Sequence, residues 1–361
     1  MVSGLISVFL LGFLIIVHEF GHFLVARWAG VRVLRFSVGF GPRLLAWKRG
    51  QTEYAVSAIP LGGYVKMAGE QRTDGGSPQP GEYLAQPVGT RARIIVAGPF
   101  VNYLVAFLSL WTVFVIGYPE LLPEVGKVMD DMPAKTAGIQ VGDRIEAIDG
   151  QPIRTWDQMT KVIYEAAGRP IALHLDRHGA SRTLTVTPKS KEATDPFGRR
   201  KTIGLIGVGP SGAFQSTRLG PVAAFGRAVS QQNEWTAQTL LSFWSLATGK
   251  LALRDSVTGP IGLVFLTSEA VKMGITPLLF LSSLLSLSLA IFNLFPIPIL
   301  DGGHLLFLVL EKLRGRPVSV NVQERSAQVS FVLLVALILV ICANDIERFG
   351  IAKKVAEWVG R

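Results

Sequence analysis

The stretch Val17-His18-Glu19-Phe20-Gly21-His22-Phe23 constrains this chain more than any other, because of where it lies. From Val2 to Val17 every side chain is apolar or small, and with the residues that follow the run is long enough to cross a bilayer as a helix. Two imidazoles and a carboxylate then appear inside that apolar helix. An ionisable side chain at membrane depth costs about 2.5–3.5 kcal/mol on insertion scales, so it is rarely kept there without a partner or a task.

On a helix, positions i and i+4 share a face, so His18 and His22 can offer two ring nitrogens to one ion. Glu19 projects from a neighbouring angle, able to reach a metal-held water without ligating the metal. This is the HExxH arrangement of a zinc peptidase. The pattern is short, and two inert, hydrogen-bonded histidines between packed helices are the alternative; a third ligand elsewhere decides between them. The segment Asn293-Leu294-Phe295-Pro296-Ile297-Pro298-Ile299-Leu300-Asp301-Gly302-Gly303-His304 supplies a candidate. Its two prolines break a helix, and irregular backbone at membrane depth is tolerated only inside protein or beside a water-filled cavity. Asp301, directly after the break, is either a helix N-cap or a carboxylate ligand. With His18 and His22 it makes three protein ligands and leaves the open fourth position that a catalytic zinc site requires. His304 is a candidate supporting residue.

Composition agrees with a membrane protein that carries a soluble portion: 361 residues, 17% charged, with a mean hydropathy of +0.39. A net charge of +10 raises nucleic acid as a partner, but ten of the basic residues fall between Arg27 and Arg93 against four acids. That excess reads as the positive-inside bias of a cytoplasmic loop, and no nucleic-acid partner is expected. A single cysteine, Cys342, excludes a disulfide framework and a thiolate cluster. The N-terminal segment does not read as a cleavable signal, since no basic region precedes it and cleavage would discard the histidines.

Four spans are expected, near Ser3–Trp28, Ile94–Tyr118, Pro277–Leu300 and Val329–Ala343. The basic loops then lie in the cytoplasm, with both termini and residues 119–274 outside it. Residues 1–118 form the first half of a membrane core, 119–202 an α+β domain, 203–274 a strand with interfacial amphipathic helices, and 275–361 the second half of the core. Between the first two spans, Val31–Val38 and Tyr54–Ile59 alternate around Gly39-Phe40-Gly41-Pro42, which predicts short strands and a turn at the membrane surface. An exposed edge there can take an extended peptide by strand addition, or the segment folds back for packing alone. The Pro-, Gly- and Ser-rich stretch from Gly69 to Gly89 reads as mobile. Asn102, in Ala97-Gly98-Pro99-Phe100-Val101-Asn102, is expected to hydrogen-bond between helices.

Residues Glu124 to Lys189 contain Val125-Gly126-Lys127-Val128, Pro133-Ala134-Lys135-Thr136-Ala137-Gly138-Ile139, Val141-Gly142-Asp143-Arg144-Ile145 and Ile148-Asp149-Gly150. The series resembles a PDZ domain of the circularly permuted bacterial kind, which implies a peptide groove beside Val125, Gly126, Lys127 and Val128. Taken together, HEFGH in the first span, AGPFVN in the second, a PDZ domain and NLFPIPILDGGH before the last span resemble the site-2 protease family of intramembrane zinc metalloproteases, more narrowly its bacterial RseP-like members. The resemblance covers nearly the whole chain. It implies an α-helical polytopic membrane protein with a membrane-associated β element and an inserted extracytoplasmic PDZ domain, in the inner membrane of a bacterium. It implies His18, His22 and Asp301 as ligands of one Zn2+ per chain and Glu19 as the catalytic base. Asn293 would contact substrate near the scissile bond, and Gly39, Phe40, Gly41, Gly62 and Gly63 would belong to the β element that clamps it. The implied substrates are single-pass membrane proteins, including anti-sigma factors and remnant signal peptides. One departure stands out: the best-known member has two tandem PDZ domains, and this chain has motifs for one. Two rival readings are a catalytically inactive PDZ-bearing scaffold and an ion transporter, although the chain lacks repeated hydropathy halves.

Overall fold

The computed structural model describes residues 2–70, 78–194, 200–251 and 257–348. Residues 71–77 of the expected mobile stretch lie outside these. In chain order the elements are α1 (Val2–Trp28), β1 (Val33–Arg49), β2 (Thr52–Met67), α2 (Val88–Ile116), β3 (Tyr118–Leu121), β4 (Val125–Val128), α3 (Pro133–Thr136), β5 (Arg144–Ile148), β6 (Gln151–Pro152), α4 (Trp156–Glu165), β7 (Ile171–Arg177), β8 (Ala180–Val186), β9 (Lys189–Thr194), β10 (Arg200–Leu205), β11 (Val208–Pro210), β12 (Phe214–Thr217), α5 (Pro221–Ala247), α6 (Pro260–Met273), α7 (Ile275–Asn293), α8 (Asp301–Arg314) and α9 (Val320–Arg348). They divide into two compact units, one of Met1–Thr112, Phe225–Leu240 and Leu253–Arg361, the other of Val113–Ala224 and Leu241–Ala252.

Among the described residues four helices are long and apolar enough to cross a membrane: Gly4–Trp28, Val88–Ile116, Ile275–Asn293 and Val320–Arg348. The third ends at Asn293, seven residues before the expected Leu300, because the prolines enforce a turn there. Two further helices of the first unit, α6 and α8, are not among the four expected spans, although α6 falls in the range where interfacial helices are expected. Their sequences are short and interrupted by Gly and Pro at both ends, which hides the helical period.

The strands of the first unit are longer than alternation alone predicts. The first half of β1 pairs with the end of β2, from Val33↔Met67 to Val38↔Gly63, and also lies beside its start, from Arg35↔Glu53 to Val38↔Val56. The second half of β1 pairs with the start of β2, from Arg43↔Ser57 to Arg49↔Thr52. Each strand therefore bends and the ribbon folds on itself. Gly39, Gly41 and Gly62 make the bends with φ of +88°, +83° and +113°, values that a side chain disfavours. The segment from Pro60 to Val65 then runs along α1. A Cβ on Gly12 would overlap the Pro60 carbonyl, and one on Gly62 would meet Ile15 at 2.8 Å. The end of the ribbon is anchored by a cluster of Phe23, Ala26, Val33, Met67 and Ile94, with Phe36 and Tyr54 packed against it.

The second unit is built on a sheet with order β6-β5-β7-β8, covered by α4. Thr155 caps α4 by accepting from the Gln158 N–H, and Met159 and Ile163 face a core of Ile145, Ile148, Leu173, Leu175 and Val186. β4, Val125–Val128, is paired with β11 from Val208↔Val128 to Pro210↔Val125, and its other side meets β5 through the Glu124↔Arg144 bridge. Val125, Gly126, Lys127 and Val128 thus pair on one side with β11 in a two-stranded sheet. The strand that pairs with β4 lies about 83 residues later in the chain, from Val125 to Val208.

Two ion pairs are buried enough to test. Arg91 of α2 makes a two-pronged bond to Glu311 of α8, with the Nη1 to Oε2 distance 3.1 Å, while its Nε donates to the Gln86 carbonyl. Removing one partner leaves an uncompensated buried charge, so Glu311→Ala is expected to destabilise the first unit by about 3–5 kcal/mol, read as lost thermal stability in detergent. In the second unit, Asp143 is fully buried and accepts from Arg177 Nε at 2.6 Å and from the Gln140 N–H at 2.8 Å. Burial pushes its carboxyl up, but the Arg177 bonds and the Gln140 N–H more than reverse this and leave it lowered. A lowered carboxyl contributes stability above its unfolded value of about 3.9 and loses it as pH falls through the folded value. Asp143→Asn is therefore expected to cost about 2–3 kcal/mol at neutral pH, a gap that closes below about pH 4, read by hydrogen exchange at Ile145 and Leu175.

Candidate metal centre

His18, Glu19 and His22 lie in the second half of α1, whose helix is unbroken through the motif. The two imidazoles stand edge to face with centroids 4.8 Å apart. Asp301 is the first residue of α8, with Leu300 as its N-cap, so its carboxylate is not spent on capping. The turn that delivers it doubles back tightly. Cβ atoms on Gly302 and Gly303 would overlap the Leu294, Phe295 and Ile297 carbonyls, which explains the two glycines after the aspartate.

Three ligand atoms converge. His22 Nε2 lies 3.1 Å from His18 Nε2, and Asp301 Oδ2 lies 3.0 Å from His18 Nε2 and 3.5 Å from His22 Nε2. Asp301 Oδ2 is shut off from solvent yet has no hydrogen-bond partner. Ligands held about 2.0–2.1 Å from a tetrahedral ion would be separated by about 3.3 Å, so this triangle fits such an ion. Donor chemistry agrees. The His22 Nδ1 lies 2.8 Å from the Ile94 carbonyl, which can only accept, so the ring proton sits on Nδ1 and the Nε2 lone pair points into the triangle.

The helix behind the site is built to this shape. A Cβ on Gly98 would fall on His22 Nε2 and lie 2.8 Å from His18 Nε2, so only glycine fits. Gly21 of α1 likewise meets the Ala97 carbonyl of α2 without room for a side chain. On the other flank, the Val65 N–H of β2 donates to Glu19 Oε2 at 3.2 Å and fixes that carboxylate beside the imidazoles.

The other expected site residues fall in two places. Asn293 ends α7, half-buried, eight residues before Asp301 in the sequence. Gly39, Phe40, Gly41, Gly62 and Gly63 lie at the bends of the β1–β2 ribbon, where Phe40 is exposed and stacks on Tyr64 at 6.1 Å between centroids. His304 is exposed, one turn into α8. Sequence reasoning missed Ile94, Val65 and the specific part played by Gly98. The Gly-Pro pair signalled close helix approach, but nothing in it names what approaches.

A helix-embedded histidine pair and a carboxylate from a distant break form a group that could hold a metal ion, with a glutamate beside it, as a metal-dependent peptidase requires. The comparisons agree. A model of peptidase family M50 matches residues 6–337. A Rhizobium meliloti protein named as a zinc metalloprotease is 36% identical over 355 residues, covering 94% of this chain and 95% of its own. The regulator of sigma-E protease RseP of Salmonella typhimurium is 32% identical over 444 aligned positions, covering 94% of this chain and 97% of its own. The zinc metalloprotease RasP of Geobacillus kaustophilus is 29% identical, covering 94% and 96%. A solved PDZ domain of an SdrC-like protein from Listeria monocytogenes aligns with 26% of this chain and 88% of its own at 21% identity and a TM-score of 0.20, too low to carry the fold. The chain belongs to peptidase family M50, the site-2 proteases. It is a metalloendopeptidase.

Gly98→Ala places a methyl group against both imidazoles. It is expected to weaken metal binding at least about ten-fold, measured by chelator competition on the detergent-solubilised chain, while helix content is unchanged.

Proposed function

We propose that this peptidase is zinc-dependent and cuts single-pass membrane proteins within or beside their membrane span. His18, His22 and Asp301 would hold one zinc ion, and Glu19 would be the general base. The observation that carries this reading is the triangle of ligand atoms, 3.0–3.5 Å on a side, beside an anchored carboxylate in an apolar helix. When bound, zinc lowers the pKa of its water toward about 7 and polarises the scissile carbonyl. Glu19 takes the proton of the attacking water and returns it to the leaving nitrogen. The Val65 N–H keeps that carboxylate from rotating away from the imidazoles.

A transmembrane helix hides its carbonyls in its own hydrogen bonds, so a substrate must unwind before attack. The end of β2 from Gly63 to Met67 runs beside Glu19, and strand addition along it would hold the opened segment. Gly39, Phe40, Gly41, Gly62 and Gly63 would shape that clamp, and Asn293 would contact the peptide near the cleaved bond. The name of the Salmonella relative supports anti-sigma factors as one substrate class, with remnant signal peptides as another. In the second unit we read a PDZ domain with a peptide groove beside Val125, Gly126, Lys127 and Val128, whose strand pairs on one side with β11. The alignment to that relative is longer than this 361-residue chain, in keeping with one such domain here instead of two. The basic loop between α1 and α2 would face the cytoplasm of a bacterium, with the termini and the second unit on the far side of the inner membrane.

The test is co-expression with a tagged single-span reporter. The wild type is expected to yield a shortened product, and Glu19→Gln at least about 100-fold less of it while still binding zinc. Undiminished cleavage by Glu19→Gln would leave an inactive-site scaffold as the better reading.

A further inference from the structure

α2 carries a polar side chain that the hydrogen-bond network leaves out. Asn102 is fully buried, and neither its Oδ1 nor its Nδ2 has a partner. The expected bond between helices is not made by this side chain; Ser286 of α7 instead donates to the Asn102 backbone carbonyl at 2.8 Å. A carboxamide without partners inside an apolar bundle is costly, so its retention needs a reason.

A second buried atom nearby has the same deficit. His18 Nδ1 is shut off from solvent and without a partner. The two imidazoles are thus treated unequally, since His22 Nδ1 has the Ile94 carbonyl at 2.8 Å. For Nε2 of His18 to ligate, the ring proton must sit on Nδ1, and that N–H needs an acceptor.

Helix geometry brings the two deficits together. α1 and α2 run in opposite directions at the site. His22 meets Ile94, and a Cβ on Gly98, one turn further along α2, would meet His18 Nε2 at 2.8 Å. Asn102 follows Gly98 by four residues, on the same face and about 6 Å further along the axis. An asparagine side chain and the width of an imidazole ring close a gap of that size, directly or with one water. Among the described residues two other buried acceptors are open, Asp301 Oδ2, which faces the Nε2 side of the His18 ring, and Gln232 Oε1, whose Nε2 donates to the Tyr103 carbonyl. A bond from Asn102 to Gln232 alone would join helices without touching a ligand.

We propose that Asn102 is a positioning residue for the metal centre: its Oδ1 accepts the Nδ1 proton of His18, directly or through one buried water, and fixes that ring as Ile94 fixes His22. This rests on the zinc-site reading above. The test uses the full chain in detergent, with zinc affinity from chelator competition and the absorption spectrum of the Co2+-loaded protein. Asn102→Leu is expected to weaken zinc binding by about 10–100-fold and to shift the Co2+ bands. Asn102→Asp, which keeps an acceptor oxygen, is expected to restore both. If Asn102→Leu fails to fold, Asn102→Ser, polar but too short to reach the ring, takes its place with the same expectation. In a His18→Cys background, where the thiolate has no ring proton to place, Asn102→Leu is expected to add nothing. An unchanged affinity and spectrum in Asn102→Leu, or an equal loss in the His18→Cys background, overturns the proposal and leaves a purely structural Asn102. If the wild type binds no zinc, or His22→Ala binds it as well as the wild type, the zinc-site reading itself has failed, and this inference with it.

Discussion

Everything near the site answers to one constraint: three atoms with lone pairs, two imidazole nitrogens and a carboxylate oxygen, held within 3.5 Å of one another in an apolar interior. In a low dielectric such a cluster is unfavourable unless something electron-poor sits among the lone pairs or protons are placed between them. The Ile94 carbonyl draws the His22 proton to the far side of its ring, so that ring has nothing to donate inward. On the His22 side the protein is therefore arranged to keep a bare lone pair facing the cluster. That is what a metal centre needs, and what an inert histidine pair would avoid.

The second requirement is proximity. Inside a bilayer, lipid tails compete with side chains on equal terms, and helices associate through small residues, close packing and a few polar bonds. The contacts around this site are made accordingly. Gly21 meets the Ala97 carbonyl, Gly98 opens the space that the imidazoles fill, Gly302 and Gly303 let the turn before α8 fold onto its first residues, and Gly12 admits the Pro60 carbonyl. At each point except Gly98, where the imidazoles stand, a backbone lies where a side chain would otherwise be. The Arg91–Glu311 pair adds a long-range tie, joining α2, which orients His22, to α8, which supplies Asp301. Residues distant in sequence are thereby held to the tolerance that shared coordination demands.

Much of this was legible in the residues. The helical period of His18 and His22 and the apolar run before them need no tertiary information, and the Pro-Ile-Pro break announces irregular backbone ahead of Asp301. What was not legible depends on partners remote in the chain. Alternation located strand segments around 31–38 and 54–59, but not that β1 and β2 each bend and pair twice, since that register is set by glycine conformations and by packing on α1. In the second unit, the pairing of Val125–Val128 with Val208–Pro210 joins segments about 80 residues apart, which local pattern cannot announce. Asn102 is the sharpest case. Its composition and depth predict a bond between helices, and the geometry gives that bond to its backbone instead.

The ribbon of β1 and β2 couples two tasks that are usually separate. Its Pro60–Val65 segment lies along α1 from Gly12 to Glu19, so the backbone that runs past the proposed base also orients it through the Val65 N–H. A strand holds such an amide more rigidly than a loop does, because neighbouring residues are locked in register, here by Val65↔Phe36 and Gly63↔Val38. The position of the Glu19 carboxylate then depends on sheet pairing as well as on its own three rotatable bonds. Any shift of this segment along the helix would move the donor away from Glu19, so the strand register and the protonation chemistry are one structural variable.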